Sequence, residues 1–167
     1  MAEKRTRFVG AHPHAIDDKG RTVLPAKIRN QLGETAILAR LDDCVGLFNP
    51  EDWDDVAERL QLAVDEAETD AELRVAMRAL RMFTSESVEV SPDQQGRIVI
   101  PATLREHADL NGELVSHGVV TRTEIWNRER FYAANQAMDE TEEEEARYGV
   151  RKGLQRSPAE RARASAP

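Results

Sequence analysis

Two copies of one short motif carry the residues best suited to bind a charged ligand. In the segments "DDKGR" and "DQQGR", the residues that align are Asp17 with Asp93, Gly20 with Gly96 and Arg21 with Arg97. Aspartate and glycine are turn-forming residues, and the forked guanidinium of arginine suits phosphate oxygens and base edges. The spacing therefore predicts an arginine presented beside a tight turn, twice in one chain.

Further cations surround the first copy. Residues 17–33 carry a net charge of +2, whereas residues 93–109 carry −1. The second copy has uncharged residues where the first has Lys19 and Lys27. We therefore expect the first copy to face a polyanion. The cations expected to contact the phosphates of that polyanion are Lys19, Lys27, Arg29, Lys4, Arg5 and Arg7.

A structural role for the same residues stays open at this point. Arg21 and Arg97 can each pair with the aspartate four positions before them and stiffen the turn. We expect this role for Arg97 and a contact with the polyanion for Arg21. Arg29 comes late in a short predicted helix, where a cation also suits the helix dipole.

Other reactive residues form no recognisable catalytic or metal-binding pattern. None of the four histidines, His12, His14, His107 and His117, has a neighbouring carboxylate or cysteine at the spacing of a zinc site or a nucleophile pair. The single cysteine, Cys44, is expected to be a small buried residue. Trp53 and Trp126 are expected to pack in the core or between subunits. We expect no catalysis, no metal, no cofactor and no small-molecule substrate.

The charge of the chain is unevenly distributed. The net charge is −8, but residues 51–72 hold ten acids and one base, and residues 139–145 hold six acids and no base. The remainder is therefore positively charged and can face a polyanion. No segment approaches the roughly 20 apolar residues of a membrane span, so we expect a cytoplasmic protein with no membrane partner.

The elements around the motif also occur twice. Each motif follows a predicted strand and precedes a short β-branched run, so it predicts a hairpin. A proline and a short helix follow, with Ile28 and Leu32, or Leu104 and Ala108, on one face. A second hairpin leads to "LFNPEDW" at 47–53 or "IWNRERF" at 125–131, where Asn49 and Asn127 are suitable N-caps.

The duplication predicts the overall architecture. A lone half would leave sheet edges and an apolar face exposed, so two interleaved copies should form one pseudo-twofold β-barrel in an α+β fold. Helices over 50–67 and 70–83 should form a helical hairpin between the copies. The predicted boundaries are 11–53 and 87–130 for the repeats, 54–84 for the helical connector, 131–148 for a C-terminal helix and 149–167 for a basic, disordered tail.

Taken together, the paired D-x-x-G-R turns, the proline-initiated helices and the "NPEDW" and "EIWNRERF" segments resemble the MraZ family of bacterial transcriptional regulators over residues 8–148. The resemblance implies two AbrB-like halves forming a double-split, swapped-hairpin barrel. It also implies a ring-shaped homo-oligomer that binds double-stranded DNA at direct repeats in the promoter of its own cell-division and cell-wall operon. Such a protein would usually be a repressor associated with the nucleoid, and Arg21 matches the motif arginine of the family.

A second interpretation remains open. A ring-forming barrel could serve as a protein-interaction scaffold without DNA binding, with the acidic 51–72 segment meeting Lys27 or Arg29 of the next subunit. The two interpretations differ in whether Arg21 remains accessible in the assembled ring. They also differ in whether binding to promoter DNA weakens steeply as salt rises.

Overall fold

The computed structural model describes residues 7–136 and 140–155 and shows an α+β fold, which confirms the predicted fold class. The strands are β1 (Phe8–Ala15), β2 (Arg21–Val23), β3 (Ala36–Arg40), β4 (Val45–Phe48), β5 (Val88–Val90), β6 (Arg97–Val99), β7 (Glu113–Val120) and β8 (Thr123–Asn127). The helices are α1 (Ala26–Leu32), α2 (Pro50–Asp65), α3 (Asp70–Ser85), α4 (Ala102–Ala108), α5 (Arg128–Gln136) and α6 (Glu140–Gln155).

The strands form two antiparallel sheets that join the repeats. The larger sheet has the order β1-β7-β8-β4-β3-β5, and the smaller one pairs β2 with β6. Strand β1 of the first repeat therefore pairs with β7 of the second, and β5 of the second pairs with β3 of the first. Neither repeat can complete its sheets without strands from the other.

The strand pairing corrects one local expectation. The D-x-x-G-R turns predict hairpins within each repeat, but β2 pairs with β6 along its length and meets the end of β1 only through one bridge, Ile16 to Thr22. The second predicted hairpin of each repeat is confirmed, as β3 pairs with β4 and β7 with β8. The six-stranded sheet has β1 and β5 at its edges, and the barrel description stays a prediction.

One hydrophobic core lies between the two repeats. The predicted helix faces are confirmed, because Ile28, Leu32, Leu104 and Ala108 are all buried in the same cluster. Phe8, at the start of β1, is also part of it, so the first repeat begins before residue 11. Matched helices from the two copies thus fill one interior, which ties the stability of each copy to the other.

The predicted helical hairpin is formed by α2 and α3. Asn49 caps α2 by accepting a hydrogen bond from the backbone N–H of Asp52 (2.8 Å), and Thr69 caps α3 through a capping box. A second, smaller apolar cluster attaches the hairpin to the sheet, and Phe83 stacks on Trp53 within it with ring centroids 5.6 Å apart. The predicted packing role of Trp53 is confirmed.

A second compact unit of the chain begins at Tyr132. It contains the end of α5 and the whole of α6, and the helix predicted over 131–148 spans parts of both, with residues 137–139 outside the described residues. Helix α6 continues to Gln155, which corrects the expected start of a disordered tail at residue 149. The rest of the predicted tail lies outside the described residues. No described helix is long and apolar enough to cross a membrane.

Candidate nucleic-acid interface

The two D-x-x-G-R turns fold in the same way. In the first, Oδ1 of Asp17 accepts hydrogen bonds from the backbone N–H groups of Lys19 (3.0 Å) and Arg21 (2.9 Å). In the second, Oδ1 of Asp93 accepts two equivalent bonds, both 2.9 Å long. The turn glycines have φ angles of +79° and +76°, which glycine adopts without steric cost.

Each motif arginine pairs with its turn aspartate. Arg21 donates through Nε to Oδ2 of Asp17, and Arg97 does the same to Asp93, both at 2.7 Å. The backbone N–H of the arginine is the main cause of the lowered pKa of each aspartate, and the guanidinium lowers it further. The structural role considered for these arginines is therefore present in both turns.

The ion pairs leave the rest of each guanidinium available. Only Nε is used, and no described residue accepts a hydrogen bond from the Nη groups of Arg21 or Arg97. The side chains are 47% and 42% exposed. Each aspartate thus holds an arginine in place while the outer edge of the guanidinium faces solvent.

The two motifs meet on one β-ribbon. In the pairing of β2 with β6, Arg21 lies opposite Val99, and Val23 lies opposite Arg97. These four side chains are exposed, Val23 at 50% and Val99 at 56%, whereas Thr22 and Ile98 between them are buried. We call the four exposed residues Arg21, Val23, Arg97 and Val99 the ribbon face.

The turns also interlock across the repeats. The backbone N–H of Leu24 donates to the carbonyl of Gly96 (2.9 Å), and that of Ile100 donates to the carbonyl of Gly20 (2.8 Å). A Cβ at Gly96 would lie 2.8 Å from Cδ of Arg29. Arg29 thus lies half-buried against the opposite turn, with less freedom to reach phosphate than an exposed cation.

The remaining predicted cations are exposed side chains outside the ribbon face, or lie outside the described residues. Lys19 is exposed at the tip of the first turn, Lys27 is exposed on α1, and Arg7 is exposed just before β1. Lys4 and Arg5 lie outside the described residues. The structure places Arg21 and Arg97 on one surface. The net charges of the two copies, +2 and −1, had favoured only the first copy as the binding surface.

Sequence reasoning missed the two valines of the ribbon face. Their signal is present in the matching triplets "RTV" and "RIV", where the first and third residues alternate with a buried one. The alternation shows that one face is exposed, but not that the two triplets pair with each other. Only that pairing brings the arginines and valines together.

A partly buried hydrogen-bond network lies next to the ribbon. The ring of His14 contacts Thr22 Oγ1 (2.8 Å) through Nδ1 and Ser116 Oγ (2.7 Å) through Nε2. The Thr22 hydroxyl donates to the carbonyl of Ala15 (2.7 Å), so Nδ1–H of His14 donates to Thr22, and Nε2 accepts from Ser116. Burial, with a smaller contribution from His12, lowers the pKa of His14 to about 4.

No described group of three or more histidine, cysteine or acidic residues is arranged to hold a metal ion. Both imidazoles of the "HPH" segment are already engaged, His14 as described and His12 with the carbonyl of Val9 at 3.4 Å. Cys44 is buried, as predicted, and burial raises the pKa of its thiol.

A comparison with protein families identifies the chain. The profile of the MraZ protein family, which is described as antitoxin-like, matches residues 7–75 and 82–151. The chain belongs to the MraZ family. The two matched segments correspond to the two copies of the repeat, and the resemblance predicted from the turns is confirmed.

Several relatives cover most of the chain. A protein of Heliobacterium modesticaldum is 40% identical over 141 residues, which is 83% of this chain and 94% of that protein. A protein of Clostridium tetani is 38% identical over 131 residues, 78% of this chain and 88% of that protein. A third, from Caldanaerobacter subterraneus, is 37% identical over 143 residues, 84% of this chain and 95% of that protein. All three are named transcriptional regulator MraZ, which is not the name of an enzyme class.

Proposed function

We propose that this MraZ-family protein is a sequence-specific DNA-binding transcriptional regulator, and that the ribbon face enters the major groove of DNA. The observation that carries the proposal is the pairing of β2 with β6, which sets two exposed arginines diagonally across two exposed valines. The major groove admits a two-stranded β-ribbon, and base edges are read there by hydrogen bonds and apolar contacts. Membership of a family whose relatives are named transcriptional regulators supports the same conclusion.

The ribbon face has the chemistry that base reading requires. The free edge of a guanidinium can donate two hydrogen bonds to O6 and N7 of guanine, and a valine methyl suits the methyl group of thymine. Because Asp17 and Asp93 already orient the arginines, less side-chain freedom is lost on binding. Lys19, Lys27, Arg7 and Arg5 would contact the phosphates and so fix the register of the protein on the duplex.

The finer features of the proposal follow from the family resemblance. On this proposal the interleaved halves are a swapped-hairpin, AbrB-like barrel, and the protein assembles into a homo-oligomeric ring. The ring represses the promoter of its own cell-division and cell-wall operon by binding direct repeats in the cytoplasm, on the nucleoid. Subunits arranged head to tail in a ring present the same surface repeatedly, so several weak contacts can act together on successive repeats.

The decisive experiment compares three arginine variants. Arg21→Ala and Arg97→Ala should each weaken binding to the gene's own upstream DNA by more than about tenfold, roughly 1.4 kcal/mol, with an unchanged sedimentation coefficient. Arg128→Ala is the matched control, because Arg128 is 45% exposed and pairs with Glu113 at 2.7 Å, but lies outside the ribbon face.

Binding is measured by fluorescence anisotropy at two salt concentrations with a scrambled competitor. Lys19→Ala should weaken binding to both DNA sequences equally, because a phosphate contact carries no sequence information. Equal affinity of Arg21→Ala, Arg97→Ala and Arg128→Ala for the upstream DNA would refute the role of the ribbon face. Binding of the wild type to neither DNA would favour the protein-interaction scaffold.

A further inference from the structure

The helical hairpin carries two exposed charged stripes of opposite sign. Glu51, Asp54 and Glu58 are exposed along α2, and Arg74, Arg78 and Arg81 are exposed along α3. Members of each set are three or four residues apart, so each set forms one stripe along its helix. We call these the acidic stripe and the basic stripe.

Neither stripe is neutralised within the described part of the chain. No ion pair between described residues involves any of the six stripe side chains. The two helices pack against each other through other faces, with Trp53 and Phe83 directed to the apolar cluster beneath them. Both stripes are therefore available to a partner.

Exposed apolar side chains accompany the stripes. On α3, Val75 is 71% exposed and Met82 is 51% exposed, next to Arg74 and Arg81 in the sequence. On α2, Leu62 follows the acidic stripe by one turn and is 52% exposed. Arginine and methionine are enriched at protein interfaces, and exposed apolar groups beside charges favour a protein partner over a purely ionic one.

The spacing of the stripes fits one helix to the other in antiparallel register. Read forwards, the acids at 51, 54 and 58 are separated by three and then four residues. Read backwards, the arginines at 81, 78 and 74 are separated by the same three and four residues. Two antiparallel helices would therefore pair Glu51 with Arg81, Asp54 with Arg78 and Glu58 with Arg74.

We propose that the acidic stripe on α2 of one subunit binds the basic stripe on α3 of the next, and that this contact builds the oligomer. The proposal deepens the proposed function, since it names the surfaces that would join the ring. The contact as proposed uses a different stripe on each of the two subunits, and such a head-to-tail contact can close into a ring. The partner is thus a second copy of the same chain.

The contact should be weak singly and sensitive to salt. A single exposed ion pair contributes little to binding, so three pairs and a few apolar contacts would join two subunits only loosely. In a closed ring every subunit makes two such contacts, and the assembly gains from their multiplicity. Raised salt should therefore dissociate the full-length oligomer in sedimentation velocity experiments.

A charge-reversal experiment on the full chain tests the pairing of residues 54 and 78. Arg78→Glu alone places two acids opposite each other, and Asp54→Arg alone places two arginines opposite each other. Each variant should therefore require at least about tenfold more protein to assemble than the wild type. Glu34→Arg, a reversal on an exposed loop, is the control and should assemble like the wild type.

Mixing the two variants gives the sharper test. In an equimolar mixture, Asp54 of the Arg78→Glu chain can meet Arg78 of the Asp54→Arg chain. At the next contact, position 54 of the Asp54→Arg chain lies opposite position 78 of the Arg78→Glu chain. An arginine again lies opposite a glutamate there. The mixture should thus assemble as alternating subunits, and the double variant should also assemble alone. Circular dichroism verifies that each variant is folded.

The outcomes that overturn the inference differ from the outcome that overturns the proposed function. It fails if the mixture and the double variant remain as dissociated as the single variants, or if the single variants assemble normally. Loss of DNA binding by Arg78→Glu with a wild-type oligomer would instead assign the basic stripe to DNA phosphates. The proposed function fails separately, if the wild type assembles by this contact but does not distinguish its upstream DNA from the scrambled competitor.

Discussion

At the scale of single residues, Gly20 is constrained more tightly than its position in a turn requires. A Cβ added there would lie 2.7 Å from the carbonyl oxygen of Ile100 and 2.8 Å from Nε of Arg105. The carbonyl belongs to the backbone of the other repeat, so it cannot swing aside as a side chain can. Gly20 therefore meets two structural requirements. It adopts the positive φ of its own turn, and it leaves space for the backbone of the other repeat at Ile100.

Gly20→Ala should lower the free energy of unfolding more than Gly112→Ala does. Gly112 also has a positive φ, +57°, but a Cβ there would meet no atom within 4 Å. The control substitution should thus show only the left-handed backbone cost of about 1–2 kcal/mol, whereas Gly20→Ala should add the clash. Urea denaturation of both variants measures the difference, and equal losses would show that the turns do not interlock closely.

His14 makes stability depend on pH. Its pKa in the fold is about 4, against an ordinary value of 6.5, because the ring is buried between Thr22 and Ser116. Between these pH values the unfolded chain binds a proton that the folded chain does not. The free energy of unfolding should therefore fall as pH drops from 6.5 to 4, by up to about 3 kcal/mol, and be independent of His14 above pH 6.5.

His14→Gln should flatten this decline. The variant should be less stable than the wild type at neutral pH, because the buried hydroxyls of Thr22 and Ser116 lose part of their network. Its stability should then change less between pH 6.5 and 4. Asp17 and Asp93 do not obscure the test, because both are present in the wild type and the variant, so the decline that they cause as pH approaches 3.8 is common to the two proteins. An equally steep decline in the variant would exclude His14 as the cause.

At the scale of elements, the sequence predicted what is local. Turn residues, N-caps and helix faces depend on neighbours a few positions away, so Asn49 and the face containing Ile28 and Leu32 could be predicted. Strand pairing between the repeats depends on residues far apart in the chain, such as Arg21 and Val99, which are 78 positions apart. Local turn chemistry favours a hairpin within the repeat, whereas burial of both repeats in one core favours the crossed pairing. The ribbon face was missed for that reason.

The candidate site was predictable to a similar extent. The motif itself identifies Arg21, and its ion pair with Asp17 follows from the spacing of four residues. The sequence does not show that Arg97 is as exposed as Arg21 and lies on the same ribbon face, because the charge counts around the two copies differ. The sequence also left the exposed basic stripe on α3 unpredicted, because a net charge summed over a segment does not show which helix face carries each charge.

The attachment of the helical hairpin should depend on one aromatic residue. Phe83 is buried, stacks on Trp53 and meets Phe48 of β4 edge-on with ring centroids 5.9 Å apart. Phe83→Ala should therefore destabilise the hairpin by about 3 kcal/mol. Hydrogen exchange should show faster exchange over 50–85 than over β7 and β8, and uniform acceleration throughout would contradict a separable hairpin.

At the scale of the whole molecule, the two repeats depend on each other for every sheet. Strand β1 needs β7, β3 needs β5, and β2 needs β6, while β4 and β8 join the halves at the centre of the larger sheet. The core likewise takes Leu24 and Ile28 from one copy and Ile100 and Leu104 from the other. Separated repeats would each expose apolar faces and open strand edges to water.

A chain divided between α3 and β5 should therefore fold only when both fragments are present. Fragments 1–86 and 87–167 should each lack a cooperative thermal transition, because each would leave half of the shared core exposed. An equimolar mixture should recover the near-ultraviolet circular dichroism of the intact chain and bind its upstream DNA, since Arg21 and Arg97 come from different fragments and meet only when β2 pairs with β6. A cooperative transition in either fragment alone would show that one repeat is a self-sufficient domain. The ribbon face would then lie at a contact between two independently folded domains. The relative positions of its arginines and valines could vary with the way in which these domains dock.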